Sequence, residues 1–227
     1  MVNKIVAIIP ARGGSKRIHN KNLYPIFDKP LIQYTIDQAK KSKLLMDFFV
    51  SSNDKKILDH VKLNDCKIIK RPASLSKDTS TSEEVLIHAV KFIKKFYFDF
   101  DAVMMLQCTS PIRKPDDIDN AIRSFGKNKF DSLMSVVKHK RFHWEIRNKK
   151  LVSLNYDYRN RPRTQEFSNQ FMETGSIYIT NINNLIKTKN RLGQKIVPFI
   201  MDEITNFEID DINDIDIVKW AIRKYNF

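Results

Sequence analysis

The 227-residue chain is poor in cysteine and glycine and has no long hydrophobic run. Its two cysteines cannot build a disulfide framework, so we expect a protein of the reducing cytoplasm rather than a secreted one. Five glycines exclude collagen-like and low-complexity classes. The N-terminal apolar run is too short for a signal peptide and no other run is long enough for a bilayer, so we expect no membrane partner.

Aromatic residues and basic charge are abundant instead. The 15 Phe and 7 Tyr, within 42% hydrophobic residues, predict a folded chain with a substantial core. The 40 Lys and Arg exceed the 26 Asp and Glu by 14, which favours a nucleic acid, an anionic membrane surface or a polyanionic small substrate as the partner. A general basic bias of the surface is the simpler alternative for most of this excess.

The two kinds of charge are separated along the chain. Residues 1–27 hold five basic side chains and no carboxylate, whereas residues 202–216 hold seven carboxylates and no Lys or Arg. Seven clustered acids would oppose binding to a nucleic acid unless they faced elsewhere. A basic segment with a separate acidic one is the arrangement that a site for a metal-bound nucleotide needs.

Short apolar runs alternate with amphipathic helical segments over residues 1–137. Strands are predicted at Lys4–Ile9, Phe48–Ser51, Cys66–Ile69, Ala102–Leu106 and Ser132–Val137, with helices beginning near Pro30, Asp54, Ser82 and Pro115. This alternation predicts an α/β fold, with a Rossmann-like, mostly parallel sheet flanked by helices.

The pattern changes after residue 137. Phe142–Tyr158 is expected to form two short strands around the turn Arg147–Lys150, followed by strands at Ser176–Thr180 and Ile196–Ile200 and a last helix over Asn213–Tyr225. We see no repeat and no Gly-, Ser- and Pro-rich linker, so one domain is predicted over residues 1–227, with an inserted arm at about 138–170.

The loop after the first predicted strand, Ile9–Leu23, carries the sharpest signal. Gly13 and Gly14 let the backbone approach a phosphate, at the end of the sheet where open α/β folds bind ligands. Arg12, Lys16 and Lys21 add positive charge for a triphosphate. The spacing matches neither a P-loop nor G-x-G-x-x-G, and the alternative is a basic surface turn.

This loop resembles the signature loop of the acylneuraminate cytidylyltransferase family, and four later segments match the family in order. They are Arg71–Thr79, Leu106–Arg113, Glu173–Ile179 and Glu208–Asp214. The resemblance implies a nucleotidyltransferase that transfers CMP from CTP to the anomeric hydroxyl of a nonulosonic acid, of sialic or legionaminic acid type, with release of pyrophosphate.

The resemblance also implies roles for individual residues. The implied CTP-binding residues are Arg12, Gly13, Gly14, Ser15, Lys16, Lys21, Asn22 and Ser82. Lys16, Arg12 and Asp210 are the implied catalytic residues, with Lys16 stabilising charge at the transferred phosphorus. The implied sugar-binding residues are Gln107, Arg163, Gln165 and Tyr178, with Arg163 paired with the C1 carboxylate. For Tyr178, an ordinary core aromatic is the alternative.

Mg²⁺ is the implied cofactor, with Asp210 and Glu208 as its ligands. Glu208 stands where the family usually has aspartate, and Asp214 is better interpreted as a helix-capping residue. Cys108 and Thr174 also depart from the family pattern, beside the expected sugar pocket. His19, His139 and His143 have no spacing that demands a metal.

Family members build a dimerisation arm where this chain has Lys138–Trp144, so a homodimer is implied, in which a basic arm residue can reach the neighbouring subunit's sugar. The closest alternative is an enzyme for the eight-carbon acid Kdo, but such enzymes resemble Gln-Gly-Asp at the segment that begins at Gln107 here. A basic nucleic-acid-binding protein is the alternative from a different class.

Overall fold

Eleven strands and six α-helices are described in a computed structural model of the protein, which covers residues 4–127, 130–166 and 170–225. The strands are β1 Ile5–Pro10, β2 Pro25–Ile26, β3 Lys29–Pro30, β4 Asp47–Ser52, β5 Lys67–Lys70, β6 Ala102–Leu106, β7 Ser132–Lys138, β8 Trp144–Arg147, β9 Lys150–Ser153, β10 Phe171–Asn181 and β11 Ile196–Ile200. The helices are α1 Leu31–Lys41, α2 Lys55–Leu63, α3 Ser82–Phe96, α4 Asp117–Gly126, α5 Ile182–Thr188 and α6 Ile212–Tyr225.

Seven strands form the central sheet, in the order β11-β7-β10-β6-β1-β4-β5. All neighbours are parallel except β10, which runs antiparallel to both β6 and β7. The predicted α/β class and mostly parallel sheet are therefore confirmed. The parallel strands β1, β4 and β6 end together at one edge, and the loops that follow them meet there.

The strands at the centre of the sheet are covered on both faces. All five residues of β6 and the first five of β1 are buried, as their continuous apolar sequence predicts. On one face, Ile36 of α1 and Ile122 of α4 belong to the same core cluster as alternate residues of β1 and β6. On the other face, Leu86 and Val90 of α3 do the same.

Local sequence explains where several helices begin. Thr81 caps α3 in a capping box, in which its side chain accepts a hydrogen bond from the Glu84 amide and Glu84 accepts one from the Thr81 amide. Asp54 caps α2, as predicted, by accepting a hydrogen bond from the Ile57 amide over 3.1 Å. Asp214 accepts hydrogen bonds from the amides of Asp210 and Asp211, so it holds the turn that leads into α6.

The structure extends one predicted strand and adds one helix. The strand predicted at Ser176–Thr180 is the second half of the eleven-residue β10, which inserts antiparallel between β6 and β7. α5, at Ile182–Thr188, was not predicted; it has seven residues, too few to show a clear helical repeat.

The chain leaves the central sheet between β7 and β10. There β8 and β9 pair as an antiparallel hairpin, with a two-residue turn at Asn148 and Lys149 that both adopt positive φ. The predicted pair of strands is thus present, although its role in a dimer stays a prediction. Among the described residues, no helix is both long and apolar enough to cross a membrane.

Candidate active site

A cleft of about 490 Å³ opens at the carboxyl ends of β1 and β6. It is lined by Pro10, Arg12, Ser15, Lys16, Arg17, Lys21, Asn22, Gln107, Cys108, Thr109 and Asp210. One wall is therefore the loop after β1, another is the segment after β6, and Asp210 comes from the turn before α6. The cleft brings together seven of the side chains that the sequence indicated, namely Arg12, Ser15, Lys16, Lys21, Asn22, Gln107 and Asp210.

The loop after β1 is held by contacts with its own backbone and with the end of β4. The amide of Gly13 donates a hydrogen bond to Oδ1 of Asn53 over 3.1 Å, and Gly14 has a φ of 71°. Asn22 is buried and its Nδ2 donates to the carbonyl of Arg12 over 2.9 Å. These contacts fix the basic loop as a structured wall rather than a loose surface turn.

The cations of the loop are paired with carboxylates of neighbouring segments. Arg12 and Lys16 both bind Asp78, over 2.7 and 2.5 Å, and together they hold the pKa of that carboxyl below its usual range. Lys21 Nζ lies 3.4 Å from Oδ1 of Asp210 and donates to the carbonyl of Ile209 over 2.8 Å. A triphosphate entering the cleft would offer these cations oxygens in place of the carboxylates.

Glu208 lies deeper than Asp210 and contacts different groups. Its Oε1 accepts a hydrogen bond from Ser110 Oγ over 2.8 Å, and burial, together with the negative charge of Asp210, raises its pKa. Gly175, at a φ of 64°, lies so close that a Cβ there would stand 1.9 Å from Glu208 Oε1 and 3.1 Å from Gln107 Oε1. Gly175 thus allows β10 to approach both side chains.

Two buried arginines support the cleft, and the sequence analysis assigned neither a role. Arg113 is 2% exposed, and its Nη2 donates to the carbonyls of Gln107 and Ser176 over 2.8 and 3.0 Å. Burial lowers its pKa to about 10. Arg113 therefore ties the segment after β6 to β10.

Arg71 is 5% exposed, and its Nη2 donates to the carbonyl of Ser51 over 2.8 Å. Burial, and then the nearby charge of Arg12, lower its pKa to about 10, so this guanidinium lies beside the basic loop. Both arginines belong to the segments that resembled the family, which was the signal that the sequence offered for them.

Seven predicted site residues are not among those that line the cleft: Gly13, Gly14 and Glu208, described above, and Ser82, Tyr178, Arg163 and Gln165. Ser82 is the first residue of α3 and is partly buried. Tyr178 is 3% exposed and belongs to the core, the position that its alternative interpretation predicted. Arg163 and Gln165 are exposed and line a second, shallower pocket with Phe142 and Arg161 of the arm.

The described residues contain no cluster of three or more His, Cys, Asp or Glu side chains that would hold a metal by themselves. Asp210 and Glu208 supply two carboxylates, which is the number that Mg²⁺ commonly takes from a protein when phosphate oxygens and water complete its shell. The donor set therefore fits Mg²⁺ shared with a nucleotide. His139 and His143 stack at 4.6 Å between ring centroids, away from this cleft.

Sequence comparison finds relatives along the whole chain. It is 30% identical to an N-acylneuraminate cytidylyltransferase of Escherichia coli over 233 residues, which cover 100% of this chain and 54% of that one. It is 31% identical to the post-translational flagellin modification protein B of Campylobacter coli, with 99% and 97% covered, and 26% identical to a pseudaminic acid cytidylyltransferase of Campylobacter jejuni, with 95% of each covered. The chain thus spans about half the length of the first relative and nearly all of the other two.

Solved structures share the fold at low sequence identity. A CMP:2-keto-3-deoxy-manno-octonic acid synthetase complexed with CTP superposes with a TM-score of 0.71 at 18% identity, covering 97% of this chain and 99% of that one. A 4-diphosphocytidyl-2C-methyl-D-erythritol synthase gives a TM-score of 0.75 at 11% identity, covering 97% and 98%. Residues 6–215 match the cytidylyltransferase family as a whole, and this chain belongs to that family of nucleotidyltransferases.

Proposed function

We propose that the protein transfers CMP from CTP to the anomeric hydroxyl of a nonulosonic acid of sialic or legionaminic acid type and releases pyrophosphate. The observation that carries this proposal is the cleft itself, which is lined by the cations Arg12, Lys16 and Lys21 together with Asp210 and Gln107. The names of the E. coli and C. jejuni relatives support the class of sugar.

Catalysis of this reaction depends mainly on the positioning of the two substrates and on neutralisation of the charge of the triphosphate. The anomeric hydroxyl loses its proton to the solvent as its oxygen forms a bond to the α-phosphorus, the bond from that phosphorus to the bridging oxygen breaks, and pyrophosphate leaves with the electron pair. Arg12 and Lys21 exchange their carboxylate partners for phosphate oxygens of the triphosphate. Lys16, more exposed and mobile, stabilises charge at the transferred phosphorus.

The remaining polar groups of the cleft bind the nucleotide and the acceptor. The backbone of Gly13, Gly14 and Ser15 lies along the triphosphate, and Asn22 and Ser82 contact the nucleoside. Arg71, buried beside Arg12, adds positive charge behind the basic loop. Gln107 binds the sugar next to the reacting centre.

Asp210 and Glu208 would hold Mg²⁺ together with phosphate oxygens of CTP. When bound, the ion would neutralise part of the charge that develops on the pyrophosphate leaving group. Asp210 is the more accessible of the two, since its side chain is 51% exposed, whereas Ser110 holds the carboxylate of Glu208.

We propose a homodimer built through the arm, in a cytoplasmic protein whose two cysteines are both buried and unpaired. Large apolar side chains are exposed on and beside the hairpin: Trp144, Ile146, Leu151, Leu154 and Tyr158. Arg163 and Gln165 lie on the same arm, away from their own cleft. Pairing of Arg163 with the C1 carboxylate of a sugar therefore requires the arm to close over a cleft, of its own or of the partner subunit.

The test is release of pyrophosphate with each of the four ribonucleoside triphosphates against sialic, legionaminic and pseudaminic acids and Kdo, in the presence of Mg²⁺. We expect product with CTP and at least one nine-carbon acid. If Kdo is the only acceptor that gives product with CTP, the protein is an enzyme for the eight-carbon acid and the proposed acceptor is wrong. No CTP-dependent product with any acceptor, together with salt-dependent binding of DNA or RNA that CTP does not affect, would favour a nucleic-acid-binding protein instead.

A further inference from the structure

The hydroxyl of Tyr178 is already engaged within the protein. It donates a hydrogen bond to Oε1 of Glu173, and the ring is buried against the core. The guanidinium of Arg191 covers the ring, with its carbon 4.5 Å from the ring centroid. Tyr178 therefore offers no free polar group to a substrate, and the polar group exposed at this place is the carboxylate of Glu173.

Glu173 lies beside the cleft, close enough to Glu208 for its negative charge to contribute to the raised pKa of that carboxyl. It precedes Gly175 by two residues on β10, at the shift in register between Glu173 and Tyr178. A Cβ at Gly175 would lie 1.9 Å from Glu208 Oε1 and 3.1 Å from Gln107 Oε1, so the strand is close to both side chains at this point. The side chain of Glu173 is 45% exposed, and its Oε2 accepts no hydrogen bond from the part of the chain that the structure describes.

Arg191 lies beside the same carboxylate oxygen of Glu173 that Tyr178 contacts. Its Nη1 binds Oε1 of Glu83 over 2.7 Å, and its Nη2 lies 4.0 Å from Oε1 of Glu173. Glu83 belongs to the first turn of α3 and Arg191 to the connection from α5 to β11, so α3 holds the cation that lies beside Glu173. The arginine side chain is only 23% exposed, so the solvent screens these interactions less than it would at an open surface.

We propose that Glu173 determines acceptor specificity by accepting a hydrogen bond from an O–H or N–H group of the acceptor sugar, with Arg191 as its positioning residue. The inference rests on the proposed function, because it assumes that the acceptor is a sugar with such a group. A fixed carboxylate binds a donor group strongly and disfavours an acceptor that places an anionic or apolar group there.

The test measures steady-state kinetics with the acceptor used by the wild-type protein, for two substitutions of Glu173. Glu173→Leu removes both oxygens and should lower kcat/KM for the acceptor about 10-fold or more, as loss of a hydrogen bond to a charged group does. Glu173→Gln keeps an acceptor oxygen and should recover part of this loss. The KM for CTP should stay unchanged in both variants, as it should in the control Asp99→Asn, whose carboxylate is exposed far from the cleft.

The role of Arg191 is tested by a substitution of Arg191 alone and in a double variant with Glu173→Leu. Arg191→Met should lower kcat/KM for the acceptor without changing the KM for CTP, and adding it to Glu173→Leu should cause little further loss, since both act through one contact. Unchanged acceptor kinetics in Glu173→Leu, or equal effects on CTP and acceptor, would overturn the inference while the proposed function stands. A wild-type protein without turnover on any nonulosonic acid would overturn both.

Discussion

The side chain of Lys16 is 79% exposed, compared with 40% for Arg12 and 14% for Lys21, although all three contact carboxylates in the same cleft. Lys21 is fixed by two contacts, to Asp210 and to the carbonyl of Ile209. The exposed side chain of Lys16 has room to change its position as charge develops on the phosphorus during the reaction. We therefore propose that Lys21 binds the triphosphate and that Lys16 stabilises charge in the transition state.

We therefore predict that Lys16→Ala lowers kcat about 100-fold or more, the range found when a group that stabilises transition-state charge is removed, and changes the KM for CTP much less. Steady-state kinetics of CMP transfer measure both constants. Lys77→Ala, at an exposed lysine beside Asp78, is the matched control and should behave as the wild type. A raised KM with an unchanged kcat would mean that Lys16 only binds substrate.

The two neighbouring aspartates at the start of α6 allow a paired test of the metal site. Asp210→Asn should abolish activity at every Mg²⁺ concentration, because a neutral amide is a poor ligand for this ion. Asp211→Asn should remain active, since its Oδ1 only accepts a hydrogen bond from the Asn213 amide, which an asparagine oxygen can also accept. Normal activity of Asp210→Asn over a titration with Mg²⁺ would contradict the assignment of Asp210 as a ligand.

Site residues were predictable where they lie together in the sequence. Arg12, Lys16, Lys21 and Asn22 share one loop, so its composition alone indicated an anion site. The support from Arg71 and Arg113 was not predictable from residues alone, because Arg113 contacts Thr35 and Ser176, which are far away in the chain. For Tyr178, the sequence could not show that its hydroxyl binds Glu173 across the irregular part of β10.

Among the elements of the fold, β10 has the greatest influence on the cleft. It inserts between β6 and β7, and its register shifts between Glu173 and Tyr178, where Gly175 brings the strand against Glu208 and Gln107. At this irregularity the carboxylate of Glu173 meets the hydroxyl of Tyr178, five residues further along the same strand. A regular strand would place a side chain at the position that Gly175 leaves open.

We predict that Gly175→Ala lowers the free energy of unfolding by about 1–3 kcal/mol, because alanine is strained at this positive φ and its Cβ would meet Glu208. It should also lower the rate of CMP transfer, since both Glu208 and Gln107 must move. Denaturant unfolding and steady-state kinetics check the two effects.

Gly126→Ala is the control for this substitution. No atom lies within 4 Å of a Cβ at Gly126, which ends α4, so its free energy of unfolding should change by less than about 1 kcal/mol. Gly175→Ala with the stability and activity of the wild type would show that β10 does not need its close approach to the cleft.

Some helices and strands were easier to predict from the sequence than others. Long periodic segments such as α3 and continuous apolar runs such as β6 were predicted well, because burial on one or both faces leaves a clear pattern. The direction of β10 has no such local signal. Strand direction is decided by the connections, and here the arm returns the chain to the same edge of the sheet from which β7 left it.

At the scale of the whole molecule, the excess of 14 positive charges is less informative than its distribution. The carboxylate-free residues 1–27 supply the basic wall of the cleft, and residues 202–216 supply Asp210 on the facing side. Part of the remaining excess lies on the arm, at Lys138, Lys140, Arg141, Arg147, Lys149, Lys150, Arg159, Arg161 and Arg163. The exposed apolar residues beside these cations are what the proposed dimer would bury.

We predict that the protein sediments as a dimer and that Ile146→Asp, at a side chain 72% exposed on β8, weakens the dimer at least about 10-fold, because a buried charge without a partner opposes association. Analytical ultracentrifugation over a range of concentrations measures this change. Leu63→Asp, at a leucine 85% exposed at the end of α2, should leave the association unchanged. A wild-type protein that is monomeric at all concentrations would contradict the proposed interface.

³¹P NMR of a single reaction follows both products expected when the cleft joins CMP to a nonulosonic acid. The wild-type protein with CTP, Mg²⁺ and the acceptor should produce one phosphodiester resonance and pyrophosphate in equal amounts, both dependent on the acceptor. Asp210→Asn should produce neither. Hydrolysis of CTP without a phosphodiester product, or no reaction with any nine-carbon acid, would contradict the account.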